Sequence, residues 1–162
     1  MNSVPLKPKI YHILHIDKLD SVLRSGGLLP DSEVMKHQLA GTVIGMNHIK
    51  QRRLNELRLQ SYPNLYVGQC VPFYFCPRSV MLFLIDRKNI ELLYTCGQAP
   101  VIHLEADFHK TIDWAAKWSF RWAFTLGNAG AKLFEDRADV NLLHELDWAA
   151  INATNWKDCR DA

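Results

Sequence analysis

The chain has 162 residues, of which 48% are hydrophobic and 22% are charged. This length is enough for one sizeable hydrophobic core and too short for two ordinary domains, so we predict a single domain over residues 1–162. The formal net charge of +2 does not by itself indicate a nucleic-acid-binding protein.

Neither targeting signals nor cysteine pairs are evident. No apolar run approaches the ~20 residues of a spanning helix, and residues 1–9 lack the apolar segment of a signal peptide. We therefore expect a cytoplasmic protein with no membrane partner. The four cysteines contain no CxxC pair and no metal-ligand spacing, which is typical of reduced, buried thiols.

The first elements are predicted from residues 9–27. Lys9–His15 has the β-branched and aromatic content of a short buried strand. Asp17 is in position to cap a following helix, and Gly26 with Gly27 ends it. The opening unit is therefore a strand, a helix and a glycine stop.

A basic stretch follows an irregular segment. Between Met35 and Arg58 the sequence has five Lys or Arg residues and only one acidic residue, Glu56. A helix is predicted after Gly45. The planar arginine fork matches a phosphate or pyrophosphate, although a solvated helix face explains the pattern as well. The cations are Lys36, Lys50, Arg52, Arg53 and Arg58.

The middle of the chain is predicted to contain a second strand. Val71–Cys76 has strand content, and Val80–Ile85 fits either a strand or a buried helix. In a strand, Tyr74 points opposite to its two phenylalanine neighbours, so it can face a ligand and stack on a flat ring, or simply lie in the core.

The later part is predicted to hold a third strand and a helix. Pro100–Glu105 is strand-like, and the spacing of Trp114, Trp118 and Trp122 is that of one helix face, which indicates packing. We predict no further strand in the sequence that follows Phe124 and Thr125.

Two histidines of the first predicted strand are candidates for a site. His12 and His15 are three positions apart and point to opposite faces of a strand, so they are a poor metal pair. A strand histidine can bind the polar edge of a nucleotide, or be a satisfied core residue. The residues alone indicate an anionic, ring-bearing ligand.

With these residues in view, the chain resembles the DarT toxins, the DNA ADP-ribosyltransferases paired with macrodomain antitoxins. The phrase Val71–Ser79 is highly specific for this family. The whole resemblance rests on Tyr11–Asp17, Gly26–Leu28, Ile49–Arg53, Val71–Ser79 and Pro100–Leu104, with Phe124–Thr125, Asp147–Trp148 and Trp156 continuing it.

The resemblance implies an α+β ADP-ribosyltransferase fold, a split pair of mixed β-sheets flanked by helices with an NAD cleft between them. It implies that NAD is a substrate, that no metal is needed, that a base in single-stranded DNA is the acceptor, and that a DarG-like macrodomain antitoxin is a partner. A non-catalytic NAD- or DNA-binding module of the same fold, or a transferase acting on RNA or protein, stays an alternative.

The resemblance also implies site residues. His12 holds the nicotinamide end of NAD, and the functional arginine is Arg53 or its neighbour Arg52, with Arg53 favoured. The candidate NAD contacts are His12, Ile13, Leu14, Ser21, Leu29, Arg53 and Tyr74. The candidate DNA contacts come from the residues themselves: Lys50 and Arg52 lie in the basic stretch, and Arg78 follows the predicted strand at Val71–Cys76.

In this family, the catalytic glutamate lies in an Ala-Glu-Phe-Leu strand. That strand follows a Trp- and Arg-containing segment similar to the last residues of this sequence. We therefore expect a domain that is incomplete at its C-terminus, with little transferase activity. This sequence also has Leu126 and Asn128 where many relatives have aspartate and histidine. Glu135 and Glu145 are the remaining late carboxylates.

Overall fold

The computed structural model describes residues 3–154 of the chain. Short helices and two small sheets alternate along it, joined by three 3-10 turns at Ile16–Lys18, Val67–Gln69 and Val140–Glu145. The strands are β1 Lys9–His15, β2 Val101–Asp107, β3 Phe124–Thr125 and β4 Asp136–Arg137; the helices are α1 Leu19–Arg24, α2 Asp31–Lys36, α3 Asn47–Asn55, α4 Val80–Asp86, α5 Phe108–Lys117 and α6 Trp148–Asn152.

The larger sheet pairs β1 with β2 in antiparallel register, so that His12 faces Leu104. The smaller sheet pairs β3 with β4, also antiparallel. The predicted strands at residues 9–15 and near residue 101 are confirmed, as is the α+β class.

The predicted strand at Val71–Cys76 is wrong as a continuous element. Only Tyr74 pairs with β1, through a two-way exchange of backbone hydrogen bonds with Tyr11 at 2.8 and 2.9 Å. Pro72 and Pro77 carry no N–H to donate to a ladder, which restricts pairing to the residues between them. This single bridge still holds Tyr74 beside the centre of β1.

The structure tests three predictions about helices: the Asp17 cap, the glycine stop and the conformation of Val80–Ile85. Asp17 does not cap α1, because a 3-10 turn precedes that helix and its N-cap Lys18 makes no side-chain capping bond. The glycine stop is confirmed: Gly26 has a φ of +76°, and Gly27 N–H donates to the carbonyl of Val22 at 3.0 Å. Val80–Ile85 is helical, and the Ser79 hydroxyl caps α4.

The expected packing of three tryptophans on one helix face is wrong. Helix α5 ends at Lys117, and Trp114 and Trp118 are 55% and 59% exposed. Ser119 has a φ of +57°, which turns the chain away after Trp118 and takes Trp122 off the helix. Trp122 packs instead against the first of three hydrophobic clusters.

That first cluster joins the sheet to the late helices. Trp148 is 2% exposed, and its indole N–H donates to the carbonyl of Leu143 at 2.8 Å. The cluster's other buried members are Ile10, Phe108, Phe124, Leu143 and Leu146.

Some earlier predictions concern exposed or undescribed residues. Cys96 is exposed, contrary to the expectation of buried thiols, while Cys70 and Cys76 are partly buried; all three are free. Trp156, Cys159 and the last residues of the chain lie outside the described range. None of the helices within residues 3–154 has the length and apolar character needed to cross a bilayer.

Candidate functional site

His12 lies in the middle of β1, and its Nδ1 is 2.7 Å from the carbonyl oxygen of Pro72. Because a carbonyl oxygen only accepts, Nδ1 carries the hydrogen and donates it. Burial lowers the pKa of His12, with this hydrogen bond opposing the shift. A neutral ring that donates from Nδ1 keeps a lone pair on Nε2, so His12 is able to accept a hydrogen bond from a ligand.

Arg53 of α3 supplies a positive charge beside His12 and Tyr74. Its Nε is buried and has no hydrogen-bond partner among residues 3–154. Its charge lowers the pKa of His12 further, after the larger effect of burial. Burial raises the pKa of the Tyr74 phenol, and Arg53 and a hydrogen bond with Ser79 oppose that rise. We call the neighbourhood of His12, Arg53 and Tyr74 the His12 cleft.

Tyr74 has an open side towards solvent. Its surface is 38% exposed although the surrounding protein is dense enough to shift its pKa. The phenylalanine before it, Phe73, instead meets the ring of His12 edge-on at 5.7 Å between centroids. That Tyr74 faces a ligand stays a prediction, because the continuous strand from which its orientation was inferred does not form.

The two neighbouring arginines have different surroundings. Arg52 donates from Nη1 to the carbonyl oxygen of Gly130 at 3.2 Å and so ties α3 to the loop after β3. Helix α3 is also held close on its other side, where a Cβ on Gly68 would lie 2.7 Å from the side chain of Leu54. Arg52 is engaged in this packing, whereas the charge of Arg53 acts on His12 and Tyr74.

A charge cluster next to the cleft includes two residues that the sequence did not single out. Lys50 forms an ion pair with Asp31 at 3.0 Å, and both side chains are largely covered. Burial lowers the pKa of Lys18, and nearby Lys50 adds to the effect while Asp31 opposes it. Lys18 and Asp31 carry no recognisable motif, so only their spatial proximity identifies them.

The loop between α2 and α3 docks on the start of the first helix. Both oxygens of Asp17 accept the backbone N–H of Thr42 at 3.1 Å, and one accepts its hydroxyl at 2.6 Å. Gly41 has a φ of +131°, and a Cβ there would overlap the Lys18 side chain. Asp17 therefore holds this loop beside Lys18, a role that its sequence position does not reveal.

The other predicted NAD contacts have mixed surroundings. Leu14 is 4% exposed, so only its backbone is available to a ligand. Ile13 is partly buried in β1, and Leu29 is partly buried between α1 and α2. Ser21, on α1, accepts hydrogen bonds at its carbonyl from Ser25.

Arg78 lies just before Ser79, the N-cap residue of α4. It lines a cavity with Tyr11, whose side chain alternates with that of His12 across β1. Its Nη2 donates to the carbonyl oxygen of Ala153 at 2.6 Å. Among the predicted DNA contacts, Lys50 and Arg52 are thus engaged in contacts of α3 with neighbouring segments, and Arg78 lines the cavity that also contains Tyr11.

The late carboxylates bind an arginine. Glu135 and Glu145 lie 3.0 and 2.7 Å from Nη2 of Arg137, far along the chain from the cleft residues. Within the described part of the chain, no three or more His, Cys, Asp or Glu residues are grouped so as to hold a metal ion.

Several known proteins are similar to this chain in sequence and in fold. Residues 11–162 match the family model described as "ssDNA thymidine ADP-ribosyltransferase, DarT". A DNA ADP-ribosyl transferase of Thermus sp. (strain 2.9) is 35% identical over 154 residues, which are 95% of this chain and 69% of that protein. A second, from Thermus aquaticus, is 32% identical and is covered over 66% of its length. The chain thus spans about two thirds of these relatives.

Solved structures agree with this match. Thermus sp. 2.9 DarT in complex with ADP-ribosylated ssDNA has a TM-score of 0.82 at 33% identity, covering 96% of this chain and 70% of that one. The same protein in complex with NAD+ has a TM-score of 0.76 at 29% identity, with the same two coverages. On the extent of the family match and the agreement of the fold, this chain belongs to the DarT family.

Proposed function

We propose that this chain binds NAD in the His12 cleft as part of an enzyme that transfers ADP-ribose to a base of single-stranded DNA. The observation that carries the proposal is the buried Nε of Arg53, which has no partner among residues 3–154 and lies beside His12 and Tyr74. An unpartnered buried donor costs about 1–3 kcal/mol, more when charged. An anionic ligand such as the NAD pyrophosphate would remove that cost.

The chemistry of His12 fits the other end of the same ligand. A lone pair on Nε2 accepts from the carboxamide N–H of nicotinamide, while Nδ1 is held by the carbonyl of Pro72. The Tyr74 phenol offers an aromatic face to a flat ring. By the DarT resemblance, we propose that His12 contacts the nicotinamide end, that Ile13 and Leu14 also contact NAD, and that Ser21 and Leu29 lie near where the dinucleotide continues.

Transfer requires a carboxylate near the ribose, because breaking its bond to nicotinamide leaves positive charge on the sugar. The carboxylates beside the cleft are engaged, Asp31 with Lys50 and Asp17 with Thr42. We therefore assign the described residues to binding NAD, and we propose that the catalytic carboxylate comes from outside residues 3–154.

The acceptor proposal rests on the family. The matching family model names thymidine in single-stranded DNA, and we propose thymidine as the acceptor base. A role as the toxin of a toxin–antitoxin pair, with a macrodomain antitoxin as partner, follows from the DarT resemblance and is proposed on that basis alone.

The test separates binding from transfer. NAD binding to the 162-residue chain is measured by calorimetry for wild type, Arg53→Met and the control Arg87→Met, which removes an exposed arginine of similar size. Binding that weakens only in the Arg53 variant is expected. No NAD binding by wild type, or equal binding by all three, would overturn the proposed cleft.

Transfer is then read by mass. The chain, and a form extended by the family's Ala-Glu-Phe-Leu strand, are incubated with NAD and a mixed single-stranded DNA pool. ADP-ribose on thymidine is expected from the extended form. NAD binding without DNA adducts in either form would favour the non-catalytic module.

A further inference from the structure

A cavity lies beside Tyr11 of β1, and its lining residues include none of His12, Arg53 and Tyr74. Its volume is about 250 Å³, and the N-terminal segment, the Cys76–Arg78 turn and α6 contribute to its walls. Side chains alternate along a strand, so Tyr11 and His12 point to opposite faces of the sheet. We call this cavity the Tyr11 pocket; its walls include Lys7, Lys9, Tyr11, Phe75, Arg78 and Trp148.

The Tyr11 pocket is positively charged. Three cations line it, and none of its lining residues is an Asp or a Glu. Lys9 is partly neutralised, because its Nζ lies 3.6 Å from Glu105 and 3.9 Å from Asp107. Lys7 is exposed. Arg78 donates one N–H to the carbonyl oxygen of Ala153, and the other N–H groups of its guanidinium are available to bind an anion.

The floor of the pocket is aromatic and well supported. The ring of Phe75 packs against Trp148 at 5.3 Å and against Phe108 at 5.4 Å between centroids. Trp148 is 2% exposed, so this floor is continuous with the hydrophobic core. An aromatic surface bordered by cations is the combination that binds single-stranded nucleic acid, since bases stack while phosphates pair with the charges.

The size of the pocket selects part of a larger ligand. About 250 Å³ is slightly below the roughly 300–1,000 Å³ of pockets that enclose a whole small molecule. We propose that the Tyr11 pocket binds one nucleotide of the single-stranded DNA substrate, with the base against Tyr11 and Phe75 and the phosphate at Lys7 and Arg78. This inference rests on the proposed function and adds a DNA contact outside the NAD cleft.

The experiment measures DNA affinity as a function of salt. A fluorescein-labelled oligothymidylate is titrated with wild type, with Lys7→Gln/Arg78→Gln, and with the control Lys117→Gln/Lys132→Gln, which removes the same charge from exposed positions elsewhere. The pocket variant should lose at least tenfold in affinity. Its slope of log K against log salt should fall by about 0.7, because Lys7 and Arg78 are proposed to hold one phosphate and each neutralised phosphate of single-stranded DNA contributes about 0.7.

A second readout locates the base. An oligonucleotide carrying 5-iododeoxyuridine is photocrosslinked to the chain, and the modified peptide is identified by mass spectrometry. Crosslinks at Tyr11 or Phe75 are expected from the proposed stacking. Crosslinks elsewhere, together with equal affinity losses in the two double variants, would overturn the pocket.

NAD binding separates this inference from the proposed function. Lys7→Gln/Arg78→Gln should bind NAD as wild type does, since none of the residues that line the pocket is a candidate NAD contact. Loss of NAD affinity would reassign the pocket to NAD. If Lys7→Gln/Arg78→Gln binds both DNA and NAD as wild type does, the Tyr11 pocket is not a DNA-binding site. The proposed function would be unaffected by that result.

Discussion

Arg52 donates a hydrogen bond of 3.2 Å to the carbonyl oxygen of Gly130, across 78 positions of the chain. This bond distinguishes two adjacent arginines that the sequence leaves equivalent. Arg52 connects α3 to the loop after β3, and the charge of Arg53, one position later, acts on His12 and Tyr74. We therefore expect mutation to separate a structural role of Arg52 from the proposed NAD-binding role of Arg53.

We expect Arg53→Met to lower NAD affinity by at least roughly tenfold, since hydrogen bonds to charged groups contribute about 1.5–3 kcal/mol. Its stability should equal or exceed that of wild type, because the variant removes a buried donor without a partner among residues 3–154. Arg52→Met should instead lower the free energy of unfolding by about 1 kcal/mol. Calorimetry and urea unfolding measure the two effects, and the reverse pattern would exchange the roles.

Stability should depend on the protonation of His12. Burial lowers its pKa in the folded state, so the unfolded chain binds the proton more readily. The contribution of His12 to stability is therefore complete above the unfolded pKa of about 6.5 and is lost as pH falls through the folded pKa. Urea unfolding from pH 5 to pH 8 should show a shallower acid decline in His12→Asn than in wild type. The exposed His48→Gln serves as control and should keep the wild-type profile.

Gly41→Ala should displace the loop between α2 and α3. A Cβ at Gly41 would overlap the Lys18 side chain, and the φ of +131° disfavours any residue with a Cβ. The melting temperature should fall, and protease cleavage within the loop should quicken. Gly45→Ala is a matched control in the same loop, because its Cβ would meet nothing within 4 Å. Equal effects of the two substitutions would show that the loop does not depend on this close contact.

Asp136→Asn should destabilise the join between β4 and the segment after α3. Asp136 is 3% exposed and accepts the backbone N–H groups of Gln60 and Ser61 at 2.6 and 3.0 Å. An amide retains only one acceptor oxygen, so one N–H is left unpaired, at a cost of about 1–3 kcal/mol. Urea unfolding measures the loss, with exposed Asp113→Asn as control. A loss no larger than that of the control would contradict this account.

Local patterns predicted some elements well. β-branched and aromatic content identified Lys9–His15, and paired glycines identified the end of α1, because strand content and left-handed backbone are properties of a few consecutive residues. Predictions from local patterns were wrong where a residue further along the chain ends the element, as Ser119 does after α5. The spacing of Trp114 and Trp118 indicated a packed face, yet both side chains are more than half exposed.

The sequence by itself determined the family, the first strand with His12, and the two adjacent arginines, since each is carried by a contiguous motif. Only the tertiary structure decided that the charge of Arg53 acts on His12 and Tyr74, that Asp17 binds Thr42, and that a basic, aromatic pocket lies beside Tyr11. The reason is the distance along the chain: His12 meets Pro72 across 60 positions and Asp17 meets Thr42 across 25. Such partners become neighbours only when the core closes, and no local spacing encodes them.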